Sequence, residues 1–312
     1  LRFFTRNMLN ALGPLQVASA AVIWGSIGLF VNRIPLPAMT ITFFRVFVAA
    51  VSIFMILLLT ASLKSLVLKD RKTVWLVFLM SLFYTFNWVL FIQALKLTTI
   101  TNAVLSYYTA PAFMAVLGWI FLKERLDLKG LFFIALSFFG LYLVFIPETS
   151  GGTSHMTGLM YGVAAGFVYA LAVVTSKAIK ESLDSWTMAF FQTGIGTLVL
   201  LPFVIFEIGN PLTIQLDVTG WMFLVIIGLV HTTVALALFF SGIRSISAKQ
   251  VGLIMYLDPL SAVFFSKVVL NERIDVYTIA GGILILVSGI LSVLAEERNK
   301  KNEGGSPVTL NE

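Results

Sequence analysis

The sequence predicts an all-α integral membrane protein. Ten transmembrane helices are expected, as two inverted-topology five-helix repeats around a central cavity. Three observations carry this expectation: an apolar composition, runs long enough to cross a bilayer, and a stretch that occurs twice.

Of the 312 residues, 59% are hydrophobic and 12% are charged, against about 25% charged in a soluble domain. A water-soluble chain with this balance would expose too much apolar surface, so the lipid bilayer is the natural solvent. The net charge of +6 would suggest nucleic acid if the basic residues were clustered. They sit instead at the ends of apolar runs, and no nucleic-acid partner is expected. Cysteine is absent, which removes a disulfide framework, a thiolate nucleophile and a cysteine metal site.

A helix needs about 20 mainly apolar residues to cross the hydrocarbon. Runs at roughly 15–33, 38–60, 73–95, 100–122, 127–146, 157–177, 185–207, 218–243, 248–270 and 275–295 qualify. We number them as the first to tenth spans. The first is read as a span rather than a cleavable signal, because it lacks a small-residue cleavage site. Turn and breaker residues punctuate the connections, among them Pro35, Pro37, Gly151-Gly152 and Asn210-Pro211. The charged, Gly/Ser/Pro-containing tail, residues 297–312, is expected to be disordered and cytoplasmic.

Orientation follows from lysine and arginine in the connections. With the N-terminus inside, Arg2, Arg6, Lys64, Arg71, Lys72, Lys123, Lys129, Lys177, Arg244 and Lys300 fall on the cytoplasmic side. Arg33, Lys96, Lys267 and Arg273 fall outside. The bias places both termini in the cytoplasm of a multi-pass protein of the cell membrane.

The duplicated stretch reads Tyr108-Thr109-Ala110-Pro111 followed by Lys123-Glu124-Arg125-Leu126-Asp127. Its second copy reads Tyr256-Leu257-Asp258-Pro259 followed by Asn271-Glu272-Arg273-Ile274-Asp275. Tyr, Pro, Glu, Arg and Asp recur at one constant spacing without a gap, the mark of an internal repeat. Weaker echoes pair Phe43-Phe44-Arg45 with Phe190-Phe191-Gln192, and Trp24 with Tyr169. The repeats are expected at residues 1–147 and 148–296. Each holds an odd number of spans, so the second must enter the membrane upside down. That architecture places a site near mid-membrane between the halves.

The chain resembles the drug/metabolite transporter superfamily, in its EamA-like branch. The resemblance rests on Trp24-Gly25, on Phe43-Phe44-Arg45, and on the duplicated Pro…Glu-Arg ends of the fourth and ninth spans, and covers about residues 15–295. It implies ten helices in two inverted halves around a cavity, and secondary transport, often export. It does not name a solute, because the family moves amino acids, nucleotide-related metabolites, sugars and drugs.

Ionisable groups inside the hydrocarbon cost ~2.5–3.5 kcal/mol near a helix centre and usually face the bundle interior. Asp258 lies in the ninth span directly before Pro259, where proline removes an amide and loosens the helix. A carboxylate there suits a proton or a cation, or else a structural bond to a neighbouring helix. Its counterpart Ala110 is neutral. Arg45, opposite neutral Gln192, is a counter-ion for a solute carboxylate or for Asp258, or an interhelical structural arginine. Arginine here is common in the resembling family whatever the solute, which favours structure. His231, followed by Thr232 and Thr233 in the eighth span, is a proton-relay candidate or a packing residue. No ligand spacing accompanies it, so no metal is expected, and no cofactor.

Tyr84, Asn87 and Trp88 share one face of the third span. Asn102, Ser106 and Tyr108 lie on the fourth, Trp24 and Ser26 on the first, Tyr169 on the sixth and Tyr256 on the ninth. These faces should turn inward and line a cavity for a small amphipathic solute, unless they serve as interhelical glue. Gly158, Gly162 and Gly166 read as a close-packing stripe. The Glu-Arg pairs read as helix-end ion pairs.

The expected function is secondary transport of a small metabolite, an amino acid or related amphipathic solute, by alternating access. Export and proton coupling are the expected direction and driver. No nucleotide-binding loop is present. The alternative weighed is a membrane-embedded enzyme acting on lipid or peptide, which lacks a nucleophile-and-base constellation. Expected partners are the bilayer, the solute and protons, and the expected state is a monomer or weak homo-oligomer.

Overall fold

The computed structural model describes residues 2–60, 62–68, 70–123, 126–148, 153–179, 183–209 and 214–303. Glu124-Arg125, Gly151-Gly152 and Asn210-Pro211 lie outside them. Among the described residues, ten helices are long and apolar enough to cross a membrane. They are Leu12–Val31, Ala38–Leu59, Arg71–Leu97, Ile100–Leu122, Leu128–Pro147, Thr153–Lys177, Ser185–Ile208, Val218–Ile243, Gln250–Leu270 and Val276–Ala295. The last helix runs on to Glu303, so helix enters the tail expected to be disordered from residue 297. Outward-facing side chains are large and apolar, with Phe206 94% and Leu59 85% exposed. Such a surface belongs against lipid.

Helix starts follow capping chemistry. Asp70, Asp184 and Asp217 accept from the amides of Thr73, Thr187 and Gly220. A side-chain oxygen at this position satisfies an amide that the first turn leaves unpaired. Thr99 caps the fourth span at the Asn102 amide, and Ser247 caps the ninth at the Gln250 amide. These two caps occupy matching positions in the duplicated stretch. So do the ends, where Lys123 (φ 57°) and Asn271 (φ 53°) close their helices in the left-handed conformation.

The duplicated proline interrupts both spans. The fourth is built from Ile100–Tyr107 and Ala110–Leu122, and the ninth from Ala248–Ile254 and Leu257–Leu270. Pro111 and Pro259 fall in the first turn of the second segment, where a missing amide costs nothing. The segment before must then end. Each break is covered by a glycine from the other half. A Cβ on Gly166 would sit 2.7 Å from the Tyr107 carbonyl oxygen, and one on Gly25 2.5 Å from that of Asp258. Gly158 and Gly162 lie against Thr98 and Ser106, so the glycine stripe is a close-packing surface.

The helix pairings are symmetric. The third span packs on the sixth as the eighth packs on the first, and the fourth on the sixth as the ninth on the first. The second pairs with the seventh, and the fifth with the tenth. Exchanging the halves maps these pairings onto themselves.

Symmetric pairing of two five-helix units predicts antiparallel halves. Single cysteines replacing Lys123 and Asn271 in this cysteine-free chain should react with an impermeant thiol reagent from opposite faces of the membrane. Labelling of both from one face would contradict the arrangement.

Candidate functional site

Four helix interruptions converge at the centre of the bundle. Two are the proline breaks. A third divides the first span at Ser26, between Arg2–Gly25 and Ile27–Val31. The fourth is a π-helical segment, Leu229–Val234, in the eighth span. Wider π turns inside α-helices are frequent at functional sites. Here the polar run His231-Thr232-Thr233 fills the widened turn. His231 Nδ1 lies 3.4 Å from the Ile226 oxygen, and the hydroxyls of Thr232 and Thr233 donate to the Ile227 and Gly228 oxygens at 3.1 and 3.4 Å.

A ring of side chains can be followed around this centre. Arg45 Nε donates to Thr232 Oγ1 at 3.0 Å, and its guanidinium lies 5.2 Å from the Trp88 ring. Trp88 meets Tyr84 and Tyr84 meets Tyr169, each at 6.0 Å between centroids. Tyr169 meets Tyr107 at 5.7 Å, and Tyr107 meets Tyr108 at 5.8 Å. The Tyr108 hydroxyl donates to Asp258 Oδ2 at 2.8 Å. The Asp258 backbone lies against Gly25. Beside it, Ser26 Oγ is 3.0 Å from His231 Nε2, and Trp24 Nε1 donates to the His231 oxygen at 2.9 Å. Thr232 then returns to Arg45. Trp24, Ser26, Tyr84, Trp88, Tyr107, Tyr108, Tyr169 and Asp258 are all half-buried.

Hydrogen positions around His231 are constrained. The Ser26 hydroxyl donates to the Ile23 oxygen at 2.8 Å, so its contact with Nε2 calls for Nε2 to donate. Nδ1 faces a carbonyl and also calls for a hydrogen. A neutral imidazole has one N–H for the two positions.

Not all expected cavity residues join the ring. Asn87 is 2% exposed and its amide donates to the Ala165 oxygen at 2.8 Å, tying the third span to the sixth, and its side chain also bonds the ring member Tyr107. Asn102 and Ser106 are buried in the first segment of the fourth span, and Ser106 bonds the Asn102 and Ala103 carbonyls against Gly162. Tyr256 meets Tyr108 at 6.1 Å between centroids and turns its hydroxyl to the tenth span, where a Cβ on Gly289 would fall. Ser106 finds its partners in a helix seam. The expected Glu272–Arg273 ion pair is also replaced. The Glu272 carboxylate accepts from the amides of Ile100 and Thr101 at 2.8 and 3.3 Å, capping the fourth span of the other half. The matching Glu124-Arg125 pair lies outside the described residues. Tyr107 and Thr232 are ring members that sequence reasoning placed only beside its candidates. Their signal is the run of consecutive polar residues within an apolar span.

One end of the ring is closed. Ile34, Ile41, Ile92, Leu95, Ile100, Leu224 and Ile227 form a buried apolar cluster joining both halves. The Glu272 cap and the Lys96 Nζ bond to the Ile34 oxygen at 3.0 Å lie at the same end.

Ten apolar helices with interrupted segments around a polar and aromatic centre define a multi-pass membrane transporter, whose partners are the bilayer and a small solute. The sequence profile of the EamA-like transporter family matches residues 11–146 and again 156–294, and the chain belongs to that family. It is 29% identical over 292 residues to the uncharacterized transporter YxxF of Bacillus subtilis (strain 168), covering 92% of this chain and 91% of the relative. It is 26% identical over 294 residues to the riboflavin transporter ImpX of Fusobacterium nucleatum subsp. nucleatum, covering 88% and 95%. A crystal structure of 17% identity matches with a TM-score of 0.63 over 92% of this chain and 98% of its own, which concerns the fold alone.

The seam between the second and eighth spans positions Arg45. A Cβ on Gly228 would sit 2.5 Å from Val48 Cβ and 3.0 Å from the Arg45 oxygen. Gly228→Val should therefore lower stability by about 1–3 kcal/mol through overpacking. The thermal unfolding temperature of the purified protein measures this, with Gly194→Ala, whose Cβ meets only Phe190 at 4.0 Å, as the tolerated control.

Proposed function

We propose that this protein is a secondary transporter that moves a small amphipathic metabolite, of the amino-acid kind, out of the cell by alternating access. The observation that carries the reading is the ring, because both repeats contribute to it and four helix interruptions meet there. Backbone freed from helical bonding is tolerated at membrane depth only where it is buried in protein or lines a cavity. Discontinuous helices at a repeat interface are the recurrent setting of a solute site. The relative named for riboflavin adds an aromatic amphipath to the solute class, which tyrosine and tryptophan walls suit.

In this reading the repeats, residues 1–147 and 148–296, lie antiparallel in the cell membrane with both termini cytoplasmic. The apolar cluster and the Glu272 cap then lie at the outer face. A chamber sealed there faces inward, and alternating access would break that seal while forming its counterpart. Asp258 is the proton-carrying group. Its partner is the Tyr108 hydroxyl, and His231 and Arg45 are the other ring groups able to carry charge. His231, beside Ser26 Oγ, is the second group this reading offers as a proton relay.

The enzyme alternative draws on one contact, Ser26 Oγ to His231 Nε2 at 3.0 Å. Covalent labelling of Ser26 by a fluorophosphonate would favour it.

Flux into proteoliposomes tests the transporter reading. A pH gradient should accelerate wild-type flux, and Asp258→Asn should lose that acceleration while retaining exchange of solute for solute. Gradient-independent flux, with Asp258→Asn unimpaired, would remove the coupling role.

A further inference from the structure

Arg45 holds a charge that the protein itself does not neutralise. It is 6% exposed, in the second span, with Nε bonded to Thr232 Oγ1. The Thr232 hydroxyl in turn donates to the Ile227 oxygen. The guanidinium is therefore anchored at Nε, and its plane is steadied against the Trp88 ring. Its two terminal nitrogens have no hydrogen-bond partner and no carboxylate among the described residues, and neither is fully sealed from the surface. Asp258, the ring's carboxylate, is committed through Oδ2 to Tyr108. On one arc Tyr107, Tyr169, Tyr84 and Trp88 stand between the two charges. Thr232, His231 and Ser26 stand between them on the other.

Buried donors are almost always bonded, and a buried cation without a partner is costly. An arginine with a purely structural role would spend its terminal nitrogens on carbonyls or a carboxylate of a neighbouring helix. This one spends only Nε, and leaves the two-pronged edge of the guanidinium, the edge that matches an oxyanion, unpaired beside Trp88. We propose that Arg45 is an anion subsite: the solute carries a carboxylate, seated on the terminal nitrogens of Arg45 beside Trp88. The proposal rests on the transporter reading and narrows its solute class. Charge balance favours a single negative charge at this subsite. Arg45 is the cation of the ring, and a dianion would leave one charge beside Asp258 with no counter-ion in a low-dielectric site. Asp258 at the other pole can then meet a cationic group of the same solute, or carry the proton that accompanies it.

Benzoate and its neutral isostere benzamide test the proposal on the purified full-length chain in detergent, at matched ionic strength. A ligand that binds the folded state raises the unfolding temperature. Benzoate should do so saturably, and benzamide should bind about tenfold or more weakly, the difference a charge-assisted bond makes. Arg45→Gln should reduce benzoate to the benzamide level, and Arg45→Lys, which keeps the charge but not the fork, should fall between. The wild-type comparison alone is decisive if a variant fails to fold. Equal binding of both probes, no response to benzoate, a response to riboflavin in place of benzoate, or unchanged benzoate binding in folded Arg45→Gln would each overturn the subsite. Flux is scored separately. Solute flux without benzoate binding removes the subsite and leaves the transporter, whereas benzoate binding through Arg45 without flux of any solute does the reverse.

Discussion

A backbone amide or carbonyl placed in hydrocarbon has no water to bond, so the chain must satisfy it or bury it. This constraint organises the molecule. Regular helix runs unbroken through the second, third and seventh spans. It fails in the first, fourth, eighth and ninth spans, and those failures gather at one place. Each is compensated locally. Ser26 bonds the Ile23 carbonyl, the His-Thr-Thr run fills the π turn, and glycines of the opposite half cover the carbonyls at the two proline breaks. The interior of the bundle is thus where irregular backbone is tolerable, and it is where polar side chains collect.

Much of this was legible in the sequence because the signals were covalent. The absence of a proline amide is independent of context, so Pro259 announced the break in the ninth span, and the repeat of that proline as Pro111 accompanies the matching break in the fourth. Apolar length marked the spans, with ends only a few residues from those observed. Small residues every fourth position marked the sixth-span contact surface. The Tyr84–Trp88 face was legible as inward because lipid offers tyrosine hydroxyls no partner, and the structure sets both on the ring.

The rest depended on where helices cross, and a single sequence does not contain crossing points. Asn87 and Trp88 are adjacent, yet Asn87 donates to the Ala165 carbonyl in a seam while Trp88 lies beside Arg45. Ser106 looks like a cavity hydroxyl until Gly162 is laid against it. Glu272 looks like the partner of its neighbour Arg273. The uncapped amides at Ile100 and Thr101 outcompete an exposed guanidinium, because a buried helix end left unpaired costs more than a surface ion pair returns. The π segment had a visible signal in its three consecutive polar residues, but the widening also needs Val48 and Arg45 packed against Gly228.

The divergence of the two repeats locates function more sharply than their likeness. The duplication supplies a frame: matched caps, matched left-handed ends, matched breaks and a self-consistent set of helix pairings. If that frame sufficed, equivalent seams would look alike. They do not. Where the third span meets the sixth, both helices are regular and Asn87 ties them. Where the eighth meets the first, the equivalent seam, one helix is π-wound and the other broken, and His231 and Ser26 meet between them. Arg45 reaches the eighth span through Thr232, while Gln192 in the same place of the other repeat reaches the third only through Met80 at 4.0 Å. Asp258 stands where the first repeat has Ala110. Every group in the ring able to carry charge is thus a departure from the ancestral symmetry. A pair of identical halves would present the solute with two equivalent poles. The departures give the ring one basic and one acidic member, and so an electrostatic polarity that two identical halves would lack.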